Sequence, residues 1–165
     1  MKEFTTFWKF FRVICIVQLI LVAFNGIFSI SNLLFTRHIL VSLVNIAAYT
    51  LVFLFVYHGL SILNYNYPDV PLSQKQKRSF NILYLINFIL ISFLFAQVVN
   101  SRWIAGYALS ADFIKKYWFW LTVQFVFPWL IFIIHLVVLI GMFGLRRTIY
   151  QNTINTWYEQ FDKKP

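Results

Sequence analysis

The sequence predicts an all-α fold: an integral membrane four-helix bundle, antiparallel and up-down-up-down, with short amphipathic segments at both ends. Three observations predict it. Of 165 residues, 61% are hydrophobic and 12% charged, and an ordinary soluble domain carries about twice that charged share. Four stretches, 13–36, 38–68, 79–101 and 117–145, contain no Asp, Glu, Lys or Arg, and each supplies the roughly 20 apolar residues that cross a bilayer core. The cations crowd the ends of these stretches, where headgroups meet water. A closed barrel is excluded, because the segments are too long and do not alternate.

Taken in order, an interfacial N-terminal segment at 3–11 places Phe4, Phe7, Trp8 and Phe11 on one helical face. Helix 1 follows near 11–34. Its apolar run is too long for a signal-peptide core and ends in no small-residue cleavage site, and neither end of the chain carries a lipidation motif. Phe35-Thr36-Arg37-His38 is a very short turn, so helix 2, near 38–64, folds back as a tight hairpin. The next loop, Tyr65-Asn66-Tyr67-Pro68-Asp69-Val70-Pro71-Leu72, is broken and stiffened by two prolines. Ser73 and Gln76 have the spacing of a capping box, opening helix 3 ahead of its apolar stretch near 77–100. Residues 100–112 read as a second loop, with Ser110 able to cap helix 4 and Asp112 in its first turn. Helix 4 lies near 113–146, and Pro128 frees the carbonyl of Gln124 and predicts a kink. A C-terminal amphipathic helix at 148–161 aligns Tyr150, Ile154, Trp157, Tyr158 and Phe161. No internal repeat or low-complexity linker divides the chain, so residues 1–165 form a single transmembrane domain.

The net charge is +9. Lys2, Lys9, Arg12, Lys75, Lys77, Arg78, Arg146, Arg147, Lys163 and Lys164 fall on one side, against Arg37, Arg102, Lys115 and Lys116 on the other. The positive-inside rule then places both termini and the middle loop in the cytoplasm. The expected location is a bacterial inner membrane. No nucleic-acid module accompanies the charge, so nucleic acid is not an expected partner. Cys15 is the single cysteine; it admits no intramolecular disulfide and, with no histidine or carboxylate motif beside it, no metal site is expected.

Chemistry is bounded by what the spans lack. Ion-coupled transport relies on buried ionisable groups, and intramembrane hydrolysis on a carboxylate pair, metal or activated nucleophile. The apolar stretches hold only uncharged polar residues and histidines, so no catalytic residues are assigned. In helix 1, Gln18, Val22, Asn25, Ser29 and Asn32 form a heptad-like seam, with Ser42, Asn45 and Tyr49 on a facing stretch of helix 2; hydrogen bonds between these two helices are expected. Gln18, His58, Tyr84 and His135 fall at similar depth, with Asn87 slightly deeper and Gln124 on the helix 4 face of His135: a polar layer for packing or ligand binding. Two histidines at one depth also fit haem b ligation by His58 and His135, the only cofactor the sequence brings into view. Gly141 and Gly144, with Gly26 and Ala23, offer small residues for close helix approach.

Three functional readings follow. The chain is a non-catalytic membrane-embedded accessory subunit, binding other membrane proteins or a second copy of itself, with Trp103, Tyr107, Trp157 and Phe161 as partner contacts. Alternatively it is a small oligomeric channel or transporter-like protein, or a haem-binding redox protein.

Overall fold

The computed structural model describes residues 4–35, 39–106 and 111–162, without the side chains of 32, 35, 100–106, 111–117, 119–125 and 159–162. Four helices account for nearly all of it: α1 Thr6–Phe35, α2 Ile39–Tyr65, α3 Gln74–Gly106 and α4 Ala111–Asp162. Many of their residues are β-branched or aromatic, which lowers helix propensity in water. In hydrocarbon the choice is different, because every backbone N–H and C=O must be paired inside the segment. Each helix holds a span long and apolar enough to cross a membrane: Thr6–Ser31, Ile39–Tyr65, Gln74–Val99 and Val126–Tyr158. The chain is thus an integral, multi-pass membrane protein.

The surface agrees. Leu34, Leu40 and Ile140 are 73%, 76% and 73% exposed, and similar residues cover the outside of every helix. Such helices, apolar all round, suit a lipid solvent. The inside is packed by Val22 of α1, Val52, Phe55 and Val56 of α2, Phe80 and Leu94 of α3, and Ile131, Val138 and Met142 of α4. The hairpin α1–α2 has the most extensive contact, followed by α3–α4; α2–α3 and α1–α4 close the ring, and α2 touches α4 across the middle.

Three boundaries differ from the sequence reading, and each difference lengthens a helix. The N-terminal aromatic segment is continuous with α1. Trp8 and Phe11 are 7% and 2% exposed, so they belong to the core rather than to the lipid interface, while Phe7 points outward. Their face is occupied by protein: Phe4 and Trp8 pack on Tyr67 at ring distances of 5.6 and 5.5 Å. Helix α3 runs on to Gly106 and α4 begins at Ala111, so Trp103 is helical. The C-terminal amphipathic stretch is the end of α4, not a separate helix. At 52 residues, α4 is about 78 Å long, more than twice a hydrocarbon core of about 30 Å. It passes through Pro128 without interruption. The 35–39 turn, Tyr107 and Ser110 lie wholly or partly outside the described residues.

The loop between α2 and α3 is tightly built. Ser73 and Gln76 form the expected capping box, with Gln76 Oε1 accepting from Ser73 N at 2.9 Å and Ser73 Oγ accepting from Gln76 N at 3.3 Å. Gln76 Nε2 also donates to Asn66 Oδ1 at 3.2 Å, and Asn66 Nδ2 reaches the carbonyls of Val70 and Pro71. The Tyr67–Pro68 bond is cis. The far end of α4 is strapped to this loop: Asn152 Nδ2 donates to the Pro68 carbonyl at 2.9 Å and Thr153 Oγ1 to the Asp69 carbonyl at 3.2 Å.

Glycine marks two close approaches. A Cβ at Gly141 would overlap the Phe11 ring, and one at Gly59 would overlap the Met142 thioether. Gly26 and Gly144, expected to serve the same purpose, have open space instead. Gly141→Ala is therefore expected to lower stability by about 1–3 kcal/mol, because the buried Phe11 ring must shift, whereas Gly144→Ala should be neutral or mildly stabilising. Thermal unfolding of the two variants in one detergent checks the contrast; equal melting temperatures would remove this account of the α1–α4 contact.

Candidate functional site

The buried polar side chains define the candidate site. Gln18, Asn87 and His135 are each fully buried, at 0% exposure, and His58 is half-buried. Each of the four helices contributes one of them. Their relative depth follows from contacts elsewhere. Trp8 meets Tyr67, and stepping along the antiparallel pair puts Gln18 opposite residue 57, beside His58. Phe11 meets Gly141 and Phe24 meets Phe127 at 5.8 Å; the same stepping puts Gln18 opposite residues 133–134, beside His135.

The direct contacts between α2 and α4 give the two histidines a different spacing. Phe55 packs edge-on against His135 at 6.4 Å, and Gly59 sits on Met142. Between those contacts, His58 falls opposite residues 138–141 of α4. That is about one to two turns along the axis from His135. Stepping through Gln18 places the two histidines level, and stepping directly between α2 and α4 places them one to two turns apart. His135 directs Nε2 towards the Asn87 carbonyl at 3.4 Å, at the long limit of a hydrogen bond.

Several polar atoms in this layer have no hydrogen-bond partner among the described residues: Gln18 Nε2 and Oε1, His58 Nε2, Asn87 Oδ1 and His135 Nδ1. Asn87 does donate, through Nδ2, to Leu83 O at 2.8 Å and Leu51 O at 3.3 Å. Tyr84 lies in an aromatic stack with Phe80 and Phe55 at the edge of the layer. The side chain of Gln124 lies outside the described residues. Uncharged and short of partners, the layer can hold a small hydrogen-bonding molecule or water, or hold helices in register.

The second group, the α1–α2 seam, is arranged differently from expectation. Asn25 Nδ2 donates to Leu21 O at 2.8 Å and Ser29 Oγ to Asn25 O at 2.9 Å. Both bonds stay within α1. Asn45 Oδ1 accepts from Gln97 Nε2 of α3 at 2.9 Å, so this inter-helix bond joins α2 to α3. The reason is helical geometry: a carbonyl one turn back is always within reach of Asn or Ser, and it wins over a neighbouring helix that must be met at one exact register. Ser42 is buried at 5% and Tyr49 packs on the core; the side chain of Asn32 lies outside the described residues. Gln97 was not singled out from the sequence. The signal in the sequence was its type alone, an amide side chain inside the uncharged stretch 79–101.

Of the expected partner contacts, Trp157 is 57% exposed on the α4 extension, beside Tyr158 at 5.8 Å. The side chains of Trp103 and Phe161 lie outside the described residues, as does Tyr107 entirely. Among the described residues no group of three or more His, Cys, Asp or Glu could hold a metal ion. Comparison with protein-family models, curated proteins and solved structures finds no match to this chain.

Two substitutions separate paired from unpaired polar groups. Gln18→Leu removes two buried atoms that lack partners and keeps the volume, so a gain of about 1–3 kcal/mol is expected. Gln97→Leu strands Asn45 and should cost about 0.6 kcal/mol, the average for such bonds in membranes. Unfolding in mild detergent reads both; a loss for Gln18→Leu would mean that something pairs Gln18.

Proposed function

We propose that this chain is a non-catalytic membrane-embedded subunit that works by associating with other membrane helices, those of a partner protein or of a second copy. The observation that carries the reading is a face of α3 turned away from the core: Ser92 and Ala96 are both exposed, one turn apart, with Leu85 and Ile89 continuing the stripe. Small residues at this spacing let a second helix approach closely, which is how helices associate when lipid removes the hydrophobic drive. Exposed Ala47 and Thr50 on α2 form a comparable ridge. The connections between helices are too short to hold a separate domain, so association within the membrane plane is the natural mode of action. Trp157 and Tyr158 on the α4 extension add an aromatic surface at the membrane edge.

A second reading, a small carrier or pore, is favoured by the unpaired polar atoms on all four helices, which are the kind of groups a permeating polar molecule would meet. Solute flux into vesicles holding the purified protein tests it; impermeable vesicles would exclude it.

For the preferred reading, Ser92→Leu combined with Ala96→Leu should abolish most of the partner recovered in mild detergent, or most of the self-association read by energy transfer, while leaving the melting temperature unchanged. Undiminished association would sink it. The orientation is part of the proposal: ten cations against four place both termini and the 66–73 loop in the cytoplasm. A cysteine at Ser73 should label with a membrane-impermeant maleimide only after the cells are opened, and native Cys15, buried at 0%, should give little background. Labelling of intact cells would reverse the topology.

A further inference from the structure

We infer that the cation-rich end of the bundle holds a specific site for one anionic glycerophospholipid, drawn from the adjoining leaflet. A cavity of about 390 Å³ opens between the start of α3 and the last part of α4. Lys77, Arg146 and Arg147 line it together with Leu72, Phe143 and Tyr150, and no acidic side chain does so among the described residues. The charges are not scattered. Arg146 and Arg147 occupy the α4 turn between Phe143 and Tyr150, so cations sit midway along an apolar face.

One of the three is already oriented. The Arg146 guanidinium donates to Asn81 Oδ1 of α3 and lies over the Phe80 ring at 5.8 Å. A guanidinium carries five donors, so one bond to Asn81 leaves most of them for an anion. Holding the group in place beforehand reduces the ordering cost of binding. Lys77 and Arg147 add point charge and a second fork from either side.

The occupant follows from this chemistry. Three cations on a wall that no acidic side chain lines among the described residues call for a phosphate. The Phe143 side of the cavity leads toward the membrane core and suits an acyl chain. Tyr150 is 63% exposed at the other end, in keeping with the aromatic belt found at headgroup level. Basic pockets between transmembrane helices are a recognised setting for anionic headgroups. A soluble phosphate would use the cations alone and leave the apolar wall without a role.

The test uses the full chain in nanodiscs containing phosphatidylglycerol and phosphatidylcholine in equal amounts, followed by gentle extraction and native mass spectrometry. One phosphatidylglycerol per chain should be retained in preference to phosphatidylcholine. Lys77→Gln and Arg147→Gln should each reduce that preference about fivefold. Lys9→Gln and Arg12→Gln remove the same charge from exposed positions outside the cavity and should leave the preference intact. Equal retention of the two lipids would overturn the inference, as would control variants that lose as much as the cavity variants. Displacement of the lipid by millimolar inorganic phosphate would also overturn it, in favour of a bare anion site. If a cavity variant fails to fold, the native protein still decides: phosphatidylglycerol must raise its melting temperature above that in phosphatidylcholine, and the absence of a shift would refute the site.

Discussion

The constraint on which the structure rests is the pairing of backbone polar groups in a solvent that offers no hydrogen bonds. It explains why a chain rich in Phe, Ile and Val folds into long uninterrupted helices, despite the modest helix propensity of those residues in water. It also explains how several of the polar side chains behave. Asn25, Ser29, Ser31 and Thr50 all donate to a carbonyl four residues earlier. A side chain bonded in this way travels with its own helix and makes no demand on a neighbour. Such residues lower the cost of a polar group in lipid without specifying how helices pair.

Specificity must then come from elsewhere, and much of it is gathered at one end. The aromatic start of α1, the 66–73 loop and the extension of α4 converge there: Phe4 and Trp8 on Tyr67, Asn152 and Thr153 on the Pro68 and Asp69 carbonyls. Asn66 binds the loop to itself and, through Gln76, to the first turn of α3. Water can reach this end, so directional hydrogen bonds there cost less to leave unmade during folding than they would in the core. The two glycine contacts, Gly141 on Phe11 and Gly59 on Met142, continue the same fit further along the helices. The loop thus acts as the template on which the ends of the helices are matched.

How far the sequence foretold this depends on whether a feature is local. Four helices, their order, the tight first hairpin and the Ser73–Gln76 cap are properties of stretches a few residues to a few turns long, and these were legible. What failed was anything that depended on which face meets which. Phe4, Trp8 and Phe11 make an amphipathic stripe that fits lipid headgroups or a protein partner equally well, and the stripe itself does not say that Tyr67 is waiting. Asn45 could pair toward α1 or α3, and only the register of the α2–α3 loop directs it to Gln97. Polar patterning names the residues that need partners, whereas packing decides the partners.

The central polar layer is where that distinction has energetic weight. A buried donor or acceptor without a partner costs about 1–3 kcal/mol. Gln18 alone presents two such atoms, and His58, Asn87 and His135 each add one. Added together, these penalties approach the whole stability of an ordinary domain, about 5–15 kcal/mol. Apolar residues of similar size would pack the same space at no such cost, as Val22 and Val52 do on the same helices. Back-bonding, the remedy used elsewhere in the chain, is open to Asn87 through Nδ2 and is used, but its Oδ1 has no partner among the described residues. Among the described residues, four uncharged polar side chains, one per helix, thus carry a cost that the packing around them does not offset.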